Sequence, residues 1–154
     1  MGVAERVEYP MNTTTPFSLR LSWAQSLFER GDFRAAATAL AELVDELEPA
    51  TGLAAGQGSD AGMVVEAEIL HGTTELRLLL ARAYFHSAQF TRAETVLVRI
   101  VEEAPTDGYA HLLLGRTLQR AGRHDEAARP LALAEILGDY ERPSAYGSPV
   151  DRSE

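Results

Sequence analysis

The chain has 154 residues, 45% of them hydrophobic, and a formal net charge of −9. That is enough chain for one domain with a real core, and its acidity argues against nucleic-acid or anionic-membrane binding, which needs a basic surface. The absence of cysteine excludes disulfides and thiolate metal sites. No apolar run approaches the ~20 residues of a membrane span, and Glu5 and Glu8 interrupt any signal-peptide core, so a cytoplasmic protein is expected. All 14 basic residues are Arg, which with 12 Gly and many Ala suggests a GC-rich bacterial coding sequence.

Residues 1–15 carry little apolar periodicity and read as a flexible lead. Thr15-Pro16 then forms a helix start, with Thr at the N-cap and Pro at the first helical position. Phe17, Leu21, Ala24, Leu27 and Phe28 follow at helical spacing, and Gly31 stops the helix. Asp32 caps a second helix carrying Phe33, Ala36, Leu40, Leu43 and Leu47, which Pro49 is expected to end.

The stretch 50–62 is a flexible loop by composition. Met63 to His71 is amphipathic, and its pattern does not decide between strand and helix. Gly72 is expected to break it, with Thr73 or Thr74 capping the next helix, from Glu75 to about Ser87. Further helices are expected from about Thr91 to Glu103, Gly108 to Arg120 and Asp125 to Leu137, with Gly138 as a C-cap. From Asp139 on, Pro, Ser and Gly predict an extended or disordered tail with Tyr140 and Tyr146 as its sizeable apolar anchors.

Two copies of one pattern lie 34 residues apart. Leu80-Ala81 answers to Leu114-Gly115, Tyr84 to Leu118, Phe90 to His124, Ala93 to Ala127 and Leu97 to Leu131. Stepping back 57 residues finds a third copy in Trp23-Ala24, Leu27, Gly31, Phe33 and Ala36, so a 23-residue insertion, about 51–73, separates copies one and two. Self-similarity at such a period marks a solenoid of helix pairs. Small residues belong where helices cross, because a larger side chain would push the axes apart. Three departures stand out: Ala88 in place of a turn Gly, His124 in place of an aromatic, and Pro130 inside a helix, which it should bend or delay.

On these residues the chain resembles the tetratricopeptide repeat family over about 17–138. The resemblance implies an all-α fold, a right-handed superhelix of antiparallel helix pairs, with repeats about 17–50, 74–107 and 108–138. It also implies a concave groove lined by the first helix of each pair. Equivalent positions then form rows: Gln25, Arg82, Arg116; Glu29, His86, Arg120; Phe28, Phe85, Gln119; Leu21, Leu78, Leu112; and Ser18, Glu75, Tyr109. The partner-binding candidates are Gln25, Phe28, Leu78, Arg82, Phe85, His86, Tyr109, Leu112, Arg116, Gln119 and Arg120.

Such a groove is apolar on one side and cationic on the other. Guanidinium forks bind carboxylates bidentately, so an acidic or amphipathic segment of another protein is the expected ligand. The alternative is that Arg82, Arg116 and Arg120 are solvated or paired internally with Glu29 and Glu75. The Lys and Asn clamp by which chaperone-binding members hold a C-terminal carboxylate is missing; Leu21, Gln25, Leu79, Tyr109 and Leu113 stand there.

Leu76, Leu78, Leu79, Leu80, Leu112, Leu113 and Leu114 make these helices apolar on nearly all sides, so a cover is expected, from the chain itself or a partner. Leu131, Leu133, Ile136 and Leu137 near the last helix end suggest a face for a homo-oligomer. His71, His86, His111 and His124 have no metal-ligand spacing, and no nucleophile motif or phosphate loop is present. No catalysis, cofactor or metal is expected. The function expected is that of an interaction module: an adaptor, scaffold, assembly factor or chaperone-like subunit.

Overall fold

A computed structural model of the chain describes residues 15–54 and 60–138, with side chains described for 15–48 and 72–138. The lead before residue 15, the tail with Tyr140 and Tyr146, and the side chains of 49–71, most of the insertion, lie outside the described residues. The described residues form six helices and no strand: α1 Phe17–Glu29, α2 Phe33–Ala54, α3 Asp60–His86, α4 Phe90–Glu103, α5 Gly108–Arg120 and α6 His124–Leu137. Contacts divide the chain into two compact units, Met1–Val96 and Leu97–Glu154.

In the first unit α2 packs against both α1 and α3. That explains its wide apolar stripe: Ala36, Ala37, Leu40, Leu43 and Val44 are all buried, because two neighbours must be covered. Ala24 on α1 and Ala81 on α3 are fully buried, as small residues at a close helix approach should be. In the second unit α5 packs on α6. Gly115 shows the closeness of that crossing. A Cβ built there would stand 2.5 Å from Leu131 Cγ and 2.6 Å from its Cδ2.

Three turns share one construction. Asp32 N–H donates to Leu27 O at 2.9 Å and Gly31 N–H to Phe28 O at 3.0 Å. Gln89 and Ala88 do the same to Tyr84 O and Phe85 O, at 2.8 and 3.2 Å, and Arg123 and Gly122 to Leu118 O and Gln119 O, at 2.9 and 3.0 Å. This is the paired bonding that closes a helix through a left-handed residue. Gly31, Ala88 and Gly122 hold that place with φ of +82°, +59° and +81°. The turns fall at the intervals of 57 and 34 residues found in the sequence, so the backbone repeats where the side chains do.

Local boundaries differ from expectation in four places. Pro16 is the N-cap of α1 and Phe17 its first residue, one position later than Thr15-Pro16 suggested; Pro16 O accepts from Leu19 and Arg20 N–H instead. The helix from Phe33 does not end at Pro49 but runs to Ala54, without the one bond that Pro49 cannot donate. The stretch 60–71 is helical, so neither the long loop nor the strand applies, and Gly72 lies inside α3 rather than breaking it. Thr73, expected as a cap, is buried inside the same helix. A 27-residue α3 and a 22-residue α2 lie against each other, and that packing outweighs single poor helix formers. Two expected caps are in place: Asp32 Oδ1 accepts from Ala35 N–H at 3.4 Å, and Gly138 closes α6 with φ +36°. Pro130 does not delay the last helix, which starts at His124 and runs through it. No helix among the described residues is long and apolar enough to cross a membrane.

Candidate functional site

The first unit gathers aromatic rings where α1 ends, α2 begins, α3 ends and α4 begins. Phe28 meets Phe33 edge-on at 5.1 Å between centroids, and His86 stacks on Phe33 at 4.6 Å with 24° between planes. His86 also meets Phe28 at 5.9 Å and Phe85 at 5.4 Å, and Phe85 meets Phe90 at 6.4 Å. Helical spacing assembles this group: Phe28 and Phe85 stand at one repeat position, Phe33 and Phe90 at another. One turn before His86, the Arg82 guanidinium lies 5.0 Å from the Phe28 ring centroid, a distance at which cation and π face attract.

The candidates therefore do not share one role. Phe85 is buried and belongs to the core. Phe28, Leu78 and Arg82 are half-buried, and Gln25 and His86 are exposed. Arg82 is braced by an aromatic face rather than left extended in water. Nearby, Arg77 of α3 reaches Glu48 of α2 at 3.3 Å and Arg20 of α1 pairs with Glu46.

In the second unit Arg116 and Arg120 are exposed, Gln119, Leu112 and Tyr109 half-buried, and Leu113 buried. Arg116 Nη1 donates to Gln119 Oε1 at 3.2 Å. Asp107 caps the N-terminus of α5, its Oδ1 accepting from Ala110 N–H at 2.9 Å. Arg123 bonds Glu126 through both fork nitrogens, at 2.8 and 2.5 Å. Those hydrogen bonds hold the Glu126 carboxyl below its ordinary pKa.

One repeat position was missed in the sequence. Arg20, Arg77 and His111 lie at the same intervals of 57 and 34 residues, and all three are buried. His111 Nε2 lies 2.9 Å from the Pro105 carbonyl. A carbonyl can only accept, so this nitrogen carries the proton. The interval itself was the available signal; charged residues inside an apolar stripe read as solvated until a partner helix is placed beside them.

A model of the tetratricopeptide repeat matches residues 53–114. Over these residues the chain is tetratricopeptide repeat sequence. The matched residues take in α3, α4 and the first half of α5; α1, α2 and α6 lie mostly outside them and carry the same turns and small residues at helix crossings. Tetratricopeptide repeats generally mediate protein–protein interaction and are typically not enzymes. Neither the curated proteins nor the solved structures yield a match. Among the described residues no group of three or more acidic or His side chains is placed to hold a metal ion.

Proposed function

We propose that this tetratricopeptide repeat protein is a cytoplasmic interaction module, an adaptor or assembly factor, that binds an acidic or amphipathic segment of another protein along its first helices. The single observation that supports this best is Arg82. On a chain of net charge −9, it is held half-buried on the face of Phe28 beside the exposed His86 and Gln25. Arg116 and Arg120 supply exposed guanidinium groups at the corresponding first-helix positions of the next repeat. Carboxylates of a partner would meet the forks, and apolar anchors would meet Phe28, Leu78, Leu112 and Tyr109. Capture of partners from a bacterial lysate by the wild-type chain and by an Arg82→Glu, Arg116→Glu variant tests this. Partners that depend on the arginines should be lost; survival of every partner would rule these residues out as the binding site.

A second reading rests on α6, where Leu131, Leu133 and Leu137 are half-buried and Ile136 is 79% exposed. Several incompletely covered apolar side chains on one short helix suit self-association. Light scattering at micromolar concentration should then give a mass above one chain, and a clean monomer would end that reading.

A further inference from the structure

Arg20 and Arg77 are 8% and 5% exposed; the other buried residues nearest them in sequence are Ala24 and Leu27 on α1, and Thr73, Leu76 and Leu80 on α3. Arg20, on α1, pairs with Glu46; Arg77, on α3, pairs with Glu48; both glutamates belong to α2. Positions two apart on a helix point to different sides, so one turn of α2 offers one carboxylate to each neighbour. Stability is a poor explanation for the arrangement. The guanidinium groups lose their hydration while the Glu46 and Glu48 side chains stay 50% and 31% exposed, so water weakens the attraction that should offset that cost, and well-packed apolar residues do as well or better in their place. Arg20 Nε even makes no hydrogen bond among the described residues.

We infer that the two pairs fix the register of α2 between α1 and α3. The apolar faces alone specify it weakly, because Ala and Leu recur along α2 at every turn: Ala36, Ala37, Leu40, Leu43 and Leu47. A slip by a turn would still oppose apolar residues. The carboxylates do not survive one. Moving α2 by four residues one way puts Glu42 before Arg20 but Val44 before Arg77, and by three puts Leu43 and Asp45 there. The opposite slips bring Ala50 with Gly52, or Pro49 with Thr51. Every one-turn slip takes at least one buried guanidinium away from its carboxylate, and breaking such a pair by moving one partner is strongly destabilising. The device acts against wrong pairings rather than for the right one.

The test uses the full chain with Arg20, Glu46, Arg77 and Glu48 all changed to Met, and a second variant with Arg77→Glu and Glu48→Arg, which exchanges the charges. The all-Met chain is expected to melt at or above the wild-type temperature while its amide NMR spectrum shows more than one peak for residues of α1, α2 and α3. The charge-exchanged chain is expected to keep a single set. One wild-type-like set from the all-Met chain would overturn the inference, and so would its failure to fold, which would make the pairs a source of stability instead. A multiple set from the charge-exchanged chain would also overturn it, since complementary charge would then not be what defines the register.

Discussion

Ala88 stands in the left-handed region with φ +59°, where its Cβ crowds the following carbonyl and where Gly31 and Gly122 hold the matching places. Ala88→Gly should therefore raise stability by about 1 kcal/mol in urea denaturation, the relief exceeding the entropy that glycine adds to the unfolded chain; a loss of stability would contradict the strain. Gly115 is the converse case. A methyl there meets Leu131 Cγ, which clears it only by a change of χ1, and the Leu131 backbone nitrogen at 3.3 Å. Gly115→Ala should cost roughly 1–3 kcal/mol. In a double-mutant cycle with Leu131→Ala the double mutant should lose less than the sum of the two single losses; strict additivity would mean that the side chain is not the obstacle.

At the scale of elements, much of the fold could be read from the sequence because the repeat is written in local terms. Gly31, Gly122 and Gly138 mark backbone conformations that glycine adopts without strain, and Ala24, Ala81 and Gly115 mark close approaches. Pro49 and Gly72 misled for the same reason. As local signals they stop helices, at about 3 and 1 kcal/mol against Ala. Whether they do so is decided by the packing of α2 on α3, which no local window contains. Gly72 makes this testable. A Cβ built there meets nothing within 4 Å, so inside a helix Gly72→Ala should stabilise by about 0.5–1 kcal/mol. A destabilised variant would place the residue at a break. The candidate site was legible in part. Arg82, Gln25, Arg116 and Arg120 are accessible at their expected first-helix positions, whereas Phe85, on the same helical row as Phe28, is used by the core. Periodicity gives the face of a helix; it does not say which residues of that face a neighbour will cover.

For the molecule as a whole, an acidic chain carries a few guanidinium groups at first-helix positions, each held differently: Arg82 on Phe28, Arg116 on Gln119. If these groups recognise carboxylates, binding should weaken with salt, since exposed charge pairs are screened over about 8–10 Å at ordinary ionic strength. Isothermal titration of a captured partner into the wild-type chain and into the Arg82→Glu, Arg116→Glu variant, matched for helix content and melting temperature, measures this directly. The expected result is a Kd at least tenfold weaker for the variant, with most of the wild-type salt dependence gone. Equal affinities and equal salt dependence in the two chains would contradict binding through these first-helix arginines.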